Sequence, residues 1–138
     1  MSGADCVFCK IVAGQLPSIK LAEDKHCLAI MDINPFAPGH ALVIAHEHHP
    51  DLFSTPAETV GAVARMAKRI ATAVQEATTP DGLNIVQSNG PGAAQSVLHY
   101  HVHVLPRYKG DNGKLNWSLT PGDREAIIDM AAKIKGFL

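Results

Sequence analysis

The feature that most constrains this chain is a row of alternating histidines near position 100. His99, His101 and His103 occupy every second position within the apolar stretch from Val97 to Leu105. Because side chains on a β-strand point alternately to the two faces of a sheet, a strand here would project the three imidazoles together, roughly 6.6 Å apart. Imidazole can act as nucleophile, proton donor or metal ligand near neutral pH, so the row predicts a catalytic strand whose middle ring could contact a phosphate. The alternatives are a metal patch or a chance polar cluster on a solvated strand face.

Length and charge narrow the class of protein. The chain has 138 residues, enough for one domain with a buried core. Its 12 basic and 13 acidic residues give a formal net charge of −1, so neither nucleic acid nor a membrane is expected as a partner. The sequence has no apolar stretch near the ~20 residues that span a bilayer and no secretion signal at its start. Three cysteines, two of them spaced Cys6-x-x-Cys9, fit a reducing compartment, and we expect a cytoplasmic protein.

The remaining pattern predicts an antiparallel α+β domain. Thr55-Pro56-Ala57-Glu58 has the form of a capping box with proline at the first helical position, and an amphipathic helix is predicted after it. A short helix is predicted over 7–13 and a C-terminal helix from Asp123. Besides the histidine row, strands are predicted over 19–23, 27–32, 40–45 and 83–87.

The run from His99 to Leu105 resembles the signature of the histidine triad (HIT) family, in which three histidines alternate with apolar residues. The resemblance covers roughly residues 6–110 and leaves 111–138 as the tail and last helix of a single domain, 1–138. It implies a five-stranded antiparallel sheet with two main helices, and a homodimer in which the two sheets join. Further blocks that look like the family's, in the expected order, are Cys6 to Ile11, Asp32 to Pro35, Pro38 to Ile44, His48 and Gln95 to Val97.

The resemblance also implies roles for the triad. His101, as the middle ring, would attack the α-phosphate of a nucleotide and form a nucleotidyl-histidine intermediate. His103 would protonate the leaving group; because transferase relatives carry glutamine there, a histidine predicts a hydrolase. His99 completes the row. We therefore expect release of a nucleoside monophosphate from a phosphoramidate or similarly activated nucleotide. The alternatives are cleavage of dinucleoside polyphosphates and a nucleotide-binding adaptor with incidental turnover.

The same resemblance implies a purine nucleotide pocket. Gln95, by its side chain, and Ser96, by its backbone N–H, would contact phosphate, and Asp32 would accept hydrogen bonds from the ribose hydroxyls. Relatives often carry asparagine where this chain has Ser88, so either Ser88 or Asn89 would take that role. Arg107 and Lys109 could attract phosphate, and the leaving group is expected near Asn116 and Trp117. The apolar base pocket would be formed by Phe8, Ile11, Ile30 and Ile33.

Cys6-x-x-Cys9 is half of a tetrahedral zinc site. Zinc-bearing relatives use the positions of Cys6, Cys9, His48 and His99, which implies a closed, structural zinc ion that fixes His99 beside the catalytic ring. Two alternatives stay open here: the cysteines could be unligated, or His46 or His49 could replace His48. His40 is expected to make a structural hydrogen bond.

Overall fold

The computed structural model describes residues 3–138. Five strands form one antiparallel sheet in the order β1-β2-β3-β5-β4, which confirms the predicted α+β fold. No helix in the described part of the chain is long and apolar enough to cross a membrane. The strands are β1 (Lys20–Glu23), β2 (Cys27–Met31), β3 (Ala41–Ala45), β4 (Gly82–Val86) and β5 (His101–Arg107), and the helices are α1 (Val7–Val12), α2 (Ala57–Thr78) and α3 (Arg124–Lys135).

The central strand β3 is buried on both faces because helices cover both. Ala41, Val43 and Ala45 face α2 and join the larger apolar core, whereas Leu42 and Ile44 face α1 and join a smaller one. Strand β5 follows the same alternation. Tyr100, Val102 and Val104 belong to the α2 core, while His101 pairs with Ile44 and His103 with Leu42. The sheet therefore presents these two histidines on the α1 side.

The histidine strand begins later than the sequence predicts. Strand β5 starts at His101, so His99 precedes it. The backbone N–H of Tyr100 donates to the carbonyl of His49 in a loop, and Tyr100 returns its own carbonyl to the N–H of Ala45. His99 is fully buried in this irregular segment, and its ring contacts Cys6, His48 and the carbonyl of Ala45.

The capping box at the start of α2 does not form. The helix begins at Ala57 with Pro56 as N-cap and no side-chain capping bond. The Thr55 hydroxyl instead donates to the carbonyl of Asp51 at 2.6 Å, which holds the side chain against the preceding turn. Local competition of this kind is characteristic of threonine.

Helix α3 buries none of its residues. Ile127, Ile128 and Ile134 are each more than half exposed. The single domain over 1–138, with its core at 6–110 and its tail at 111–138, stays a prediction, and residues 1–2 lie outside the described part.

Candidate active site and metal centre

His101 is held with one ring nitrogen free. Its Nδ1 lies 2.6 Å from the carbonyl oxygen of His99, and because a carbonyl can only accept, the ring proton is on Nδ1. Nε2 therefore carries a lone pair and has no hydrogen-bond partner among the described residues. The ring is 6% exposed and rests edge-on against Phe8, with ring centroids 4.9 Å apart. A buried imidazole with an unprotonated, unengaged nitrogen is suited to nucleophilic attack.

His103 carries the opposite tautomer. The backbone N–H of Phe36 donates to Nδ1 of His40 at 2.9 Å, which places the His40 proton on Nε2. That Nε2 lies 2.9 Å from Nδ1 of His103, which must then accept, so the proton of His103 is on its Nε2. The His101 and His103 ring centroids are 5.0 Å apart. Two adjacent imidazoles thus present one lone pair and one N–H donor.

Burial sets the charge of these rings. It lowers the pKa of His101 and the pKa of His103, because desolvation disfavours the imidazolium, and the neighbouring His40 lowers the pKa of His103 further. Burial also lowers the pKa of His40, against an opposing effect of the Asp32 carboxylate. All three shifts favour the neutral imidazole, the state in which His101 can act as a nucleophile.

A cavity of about 330 Å³, the α1-side cavity, opens beside the two rings. Asp32 lies at its wall with Oδ1 accepting from the N–H of Asn34 at 2.8 Å and Oδ2 3.3 Å from Nε2 of His40. The cavity combines an apolar floor, one carboxylate and the imidazoles of His101 and His103. The sequence-predicted residues that it brings together are Phe8, Ile11, Ile30, Asp32, Ile33, Ser96, His101 and His103.

Two cysteines and two histidines converge on the other side of His101. Nδ1 of His99 lies 3.3 Å from Sγ of Cys6, 3.5 Å from Sγ of Cys9 and 3.2 Å from Nδ1 of His48, and that last atom lies 3.3 Å from Sγ of Cys9. All four donor atoms lie within 4.8 Å of one another. A tetrahedral zinc ion with usual bond lengths separates its ligand atoms by about 3.3–3.8 Å, so the set has the size of a zinc site.

The protonation of His99 also suits a metal. Its Nε2 donates to the carbonyl of Ala45 at 2.6 Å, which leaves Nδ1 as the lone-pair nitrogen facing the cysteines. Without metal, burial and the neighbouring Cys6 raise the pKa of Cys9 to about 11, so a cation would have to displace this thiol proton on binding. The residues present therefore fit a zinc ion.

A family model described as the HIT domain matches residues 13–110. The chain belongs to the HIT family. A crystal structure of a HIT family protein from Bacillus anthracis superposes on this HIT domain with a TM-score of 0.92 at 33% identity, covering 99% of each chain. A Zn-bound histidine triad family protein from Mycobacterium smegmatis is 42% identical, with a TM-score of 0.75, covering 94% of this chain and 99% of that one.

A third relative is named for a reaction. Adenylylsulfatase HINT3 from Arabidopsis thaliana is 43% identical over 107 residues, which are 78% of this chain and 54% of that protein. This HIT protein therefore spans about half the length of that relative.

Three sequence-predicted nucleotide contacts lie outside the α1-side cavity. Gln95 accepts from the N–H of Gly90 and donates to the carbonyls of Pro50 and Val97, so its amide braces the loop before β5. Asn89 and Gln87 hold each other by two amide hydrogen bonds. Ser88 lines a different cavity. The roles suggested for Gln95, Ser88 and Asn89 stay predictions.

The structure also separates the candidate zinc ligands from their neighbours. His46 lies against the carbonyl of Lys25 and the Glu23 carboxylate, and His49 against Glu47. Of the three histidines over 46–49 that the local sequence left open, His48 is the one in the cluster, as the family resemblance implied.

Sequence reasoning missed two contacts of this HIT domain. His40 was expected to make a structural hydrogen bond, but the sequence did not indicate that its partner is His103. Arg107 is engaged by Asp111 through two hydrogen bonds, at 2.9 and 2.7 Å, so its charge is already paired. That pairing depends on a loop after the strand, which carries no regular spacing.

Proposed function

We propose that this HIT protein hydrolyses nucleotide conjugates, releasing a nucleoside monophosphate from a purine nucleoside phosphoramidate through a nucleotidyl-histidine intermediate. The observation that carries the proposal is the pair of opposite tautomers at His101 and His103, at the wall of one cavity that also holds Asp32. A lone-pair nitrogen and an N–H donor side by side are the two groups that displacement at phosphorus needs.

In the first step, Nε2 of His101 attacks the α-phosphorus. The new N–P bond forms as the bond from phosphorus to the leaving nitrogen breaks, and the leaving amine takes the proton from Nε2 of His103. The bound phosphate is an anion, which raises the pKa of an adjacent imidazole and so supplies His103 in its protonated, acidic form. Nδ1 of His103 then also carries a proton and no longer accepts from His40, whose Nε2–H can donate to Asp32 instead. The carbonyl of His99 stabilises the positive charge that develops on His101.

In the second step, water attacks the same phosphorus. His103, now neutral, accepts the proton of that water, and the bond between phosphorus and His101 breaks. The products are the nucleoside monophosphate and a regenerated His101. Each histidine thus ends the cycle as it began.

The nucleotide half is assigned to the α1-side cavity. Asp32 can accept hydrogen bonds from two ribose hydroxyls, and Phe8, Ile11, Ile30 and Ile33 supply apolar surface for a purine. Ser96 also lines this cavity, which supports a backbone contact to phosphate. Such a pocket recognises the shape of a base more than its polar edge.

Cys6, Cys9, His48 and His99 would hold a structural zinc ion. A closed four-ligand site supplies folding energy and ligand orientation. Here it would tie α1 to the segment before β5. Because the carbonyl of His99 is also the acceptor for His101, the same residues fix the direction of the catalytic ring.

Release of AMP from adenosine 5′-phosphoramidate tests the proposal, with His101→Ala as the matched inactive protein. We expect turnover by the wild type and loss of at least a thousandfold in the variant, with AMP binding retained. Turnover of diadenosine polyphosphates in place of the amidate would favour that alternative substrate class. AMP binding without any turnover would favour the adaptor and reject the hydrolase.

We also propose a cytoplasmic homodimer whose sheets join. Strand β4 lies at the edge of the sheet, and a cavity of about 580 Å³ between α2 and β4 has mostly apolar walls. An edge strand beside apolar surface is suited to pairing with a second copy. Light scattering after gel filtration distinguishes one chain from two.

A further inference from the structure

Strand β5 continues its row of side chains beyond the two catalytic histidines. One face of the strand carries every second residue, namely His101, His103, Leu105 and Arg107. His101 and His103 border the α1-side cavity. His103, Leu105 and Arg107 border a second cavity of about 340 Å³, here called the Leu115 cavity after the residue at its outer wall. His103 is thus the catalytic ring that the two cavities share.

The order of His101 and His103 along the strand matches the order in which a nucleophile, a phosphorus atom and a leaving group line up in a displacement. Attack and departure are in line at phosphorus, so the leaving group lies on the side of phosphorus away from His101. The proton donor must reach the leaving atom, and that donor is His103. The Leu115 cavity is bordered by His103 and not by His101, which is the position that a leaving group requires.

The walls of the Leu115 cavity are mainly apolar. Phe36, Val86, Leu105 and Leu115 contribute most of the hydrophobic side chains, and Ser88 contributes a hydroxyl. Such a surface gains from burying hydrocarbon and offers little to an anion.

Arg107 is the one permanently cationic side chain among the described residues that line this cavity, and four of its five N–H donors are engaged. Nε and Nη2 donate to the two oxygens of Asp111, Nη2 also donates to the carbonyl of Gly113, and Nη1 donates to Oδ1 of Asn84 at 2.8 Å. Its guanidinium carbon lies 5.5 Å from the centre of the Phe36 ring. Arg107 therefore forms a neutralised part of the wall.

We propose that the Leu115 cavity receives the leaving group and favours an amine with an apolar side chain over a sulfate or a phosphate chain. The inference rests on the proposed function and deepens it by naming the chemistry of the departing half. The bond that breaks joins phosphorus to the amine nitrogen, and that nitrogen leaves with the proton of His103 while its hydrocarbon side chain stays in contact with Leu105 and Leu115.

The test compares three conjugates that share one adenylyl group: the unsubstituted phosphoramidate, its N-(2-phenylethyl) derivative and adenosine 5′-phosphosulfate. For the wild type, we expect kcat/KM for the phenylethyl compound to exceed that for the unsubstituted amidate by about tenfold, as burial of a hydrocarbon group allows. We expect the phosphosulfate to be the poorest of the three.

Leu115→Lys and Leu115→Gln isolate the effect of charge. Leu115 is 45% exposed, so both variants should fold. The lysine should raise the ratio of kcat/KM for phosphosulfate to that for the phenylethyl amidate by roughly threefold to fivefold relative to glutamine, while AMP binds all three proteins equally.

Equal kcat/KM for the two amidates, or a ratio that is the same in both Leu115 variants, would overturn the assignment of the cavity. AMP release that still required His101 would then leave the proposed hydrolase intact. If none of the three conjugates released AMP, the proposed function itself would fail, and the inference with it.

Discussion

Nε2 of His40 lies 2.9 Å from Nδ1 of His103, and this contact determines where the proton of His103 resides. The backbone N–H of Phe36 occupies the other nitrogen of His40, so the donor direction runs from His40 to His103. Gly39, the residue before His40, adopts φ +97°, and a Cβ there would lie 2.9 Å from the Thr78 side chain on α2. The absence of a side chain therefore lets the chain pass close to α2 just before His40.

Replacing His40 should therefore impair proton delivery. We expect His40→Ala to lower kcat for an alkyl phosphoramidate by tenfold to a hundredfold, since His103 loses the group that fixes its tautomer. A 4-nitrophenyl ester of AMP, whose leaving group departs without a proton, should be much less affected. His26→Ala, in the hairpin between β1 and β2, is the matched control, and an equal loss on both substrates would argue against a role in proton delivery.

The candidate metal centre predicts that the three cysteines differ in their effect on zinc content. Cys9→Ser should lose bound zinc, whereas Cys27→Ser, which lies in the α2 core, should retain about one ion per chain. Zinc content by mass spectrometry of the metal measures this directly. Removal of zinc by a chelator should also lower Tm by several degrees in the wild type and leave Tm of Cys9→Ser unchanged. Equal zinc content in both variants would contradict the assigned ligands.

The buried histidines predict loss of stability in mild acid. Burial lowers the pKa of His40, His99, His101 and His103 from the ordinary value of 6.5. The unfolded chain therefore binds more protons than the folded one as pH falls below 6.5. Their contribution is fully present above that pH and is lost as pH drops toward the lowered values. Urea unfolding of the metal-free protein at pH 8 and pH 5.5 should show the lower midpoint at pH 5.5, and equal midpoints would count against neutral buried rings.

Substitution of Asp32 should weaken the binding of nucleotides that carry ribose hydroxyls and leave the binding of those without them unchanged. Asp32→Asn should weaken AMP binding by about tenfold or more, because hydrogen bonds to a charged acceptor are among the stronger ones. The control is 2′,3′-dideoxy-AMP, which lacks both ribose hydroxyls and should bind the wild type and the variant equally. Calorimetry measures both affinities; a matching loss for the dideoxy compound would assign Asp32 to the fold and not to ribose.

Much of the fold could be predicted because its signals are local and periodic. The apolar run over 41–45 and the alternation through Val102 and Val104 each specify a strand from a few neighbouring residues. The candidate zinc set and the order of the blocks around it came from the family signature. They needed no knowledge of how the chain turns between them.

Other features depend on contacts that spacing cannot show. His99 leaves the strand because its neighbours bond to His49 and Ala45 across the loop. Thr55 turns back to Asp51, which competes with the helix for the same hydroxyl. The sequence shows that Arg107 is charged, but not that it pairs with Asp111 in the irregular loop after β5. Whether Arg107 is available to a ligand could therefore be judged only from the structure.

The cluster of Cys6, Cys9, His48 and His99 joins residues that are synthesised at very different times. Cys6 and His99 are 93 positions apart, so a ribosome adding 5–20 residues per second takes about 5–20 s to supply the last ligand after the first. Throughout that interval the cluster lacks His99, and Phe8 of α1 lacks the His101 ring against which it packs. The cysteines of a nascent chain therefore remain free thiols, and the four-residue cluster can close only once synthesis has reached the histidine strand.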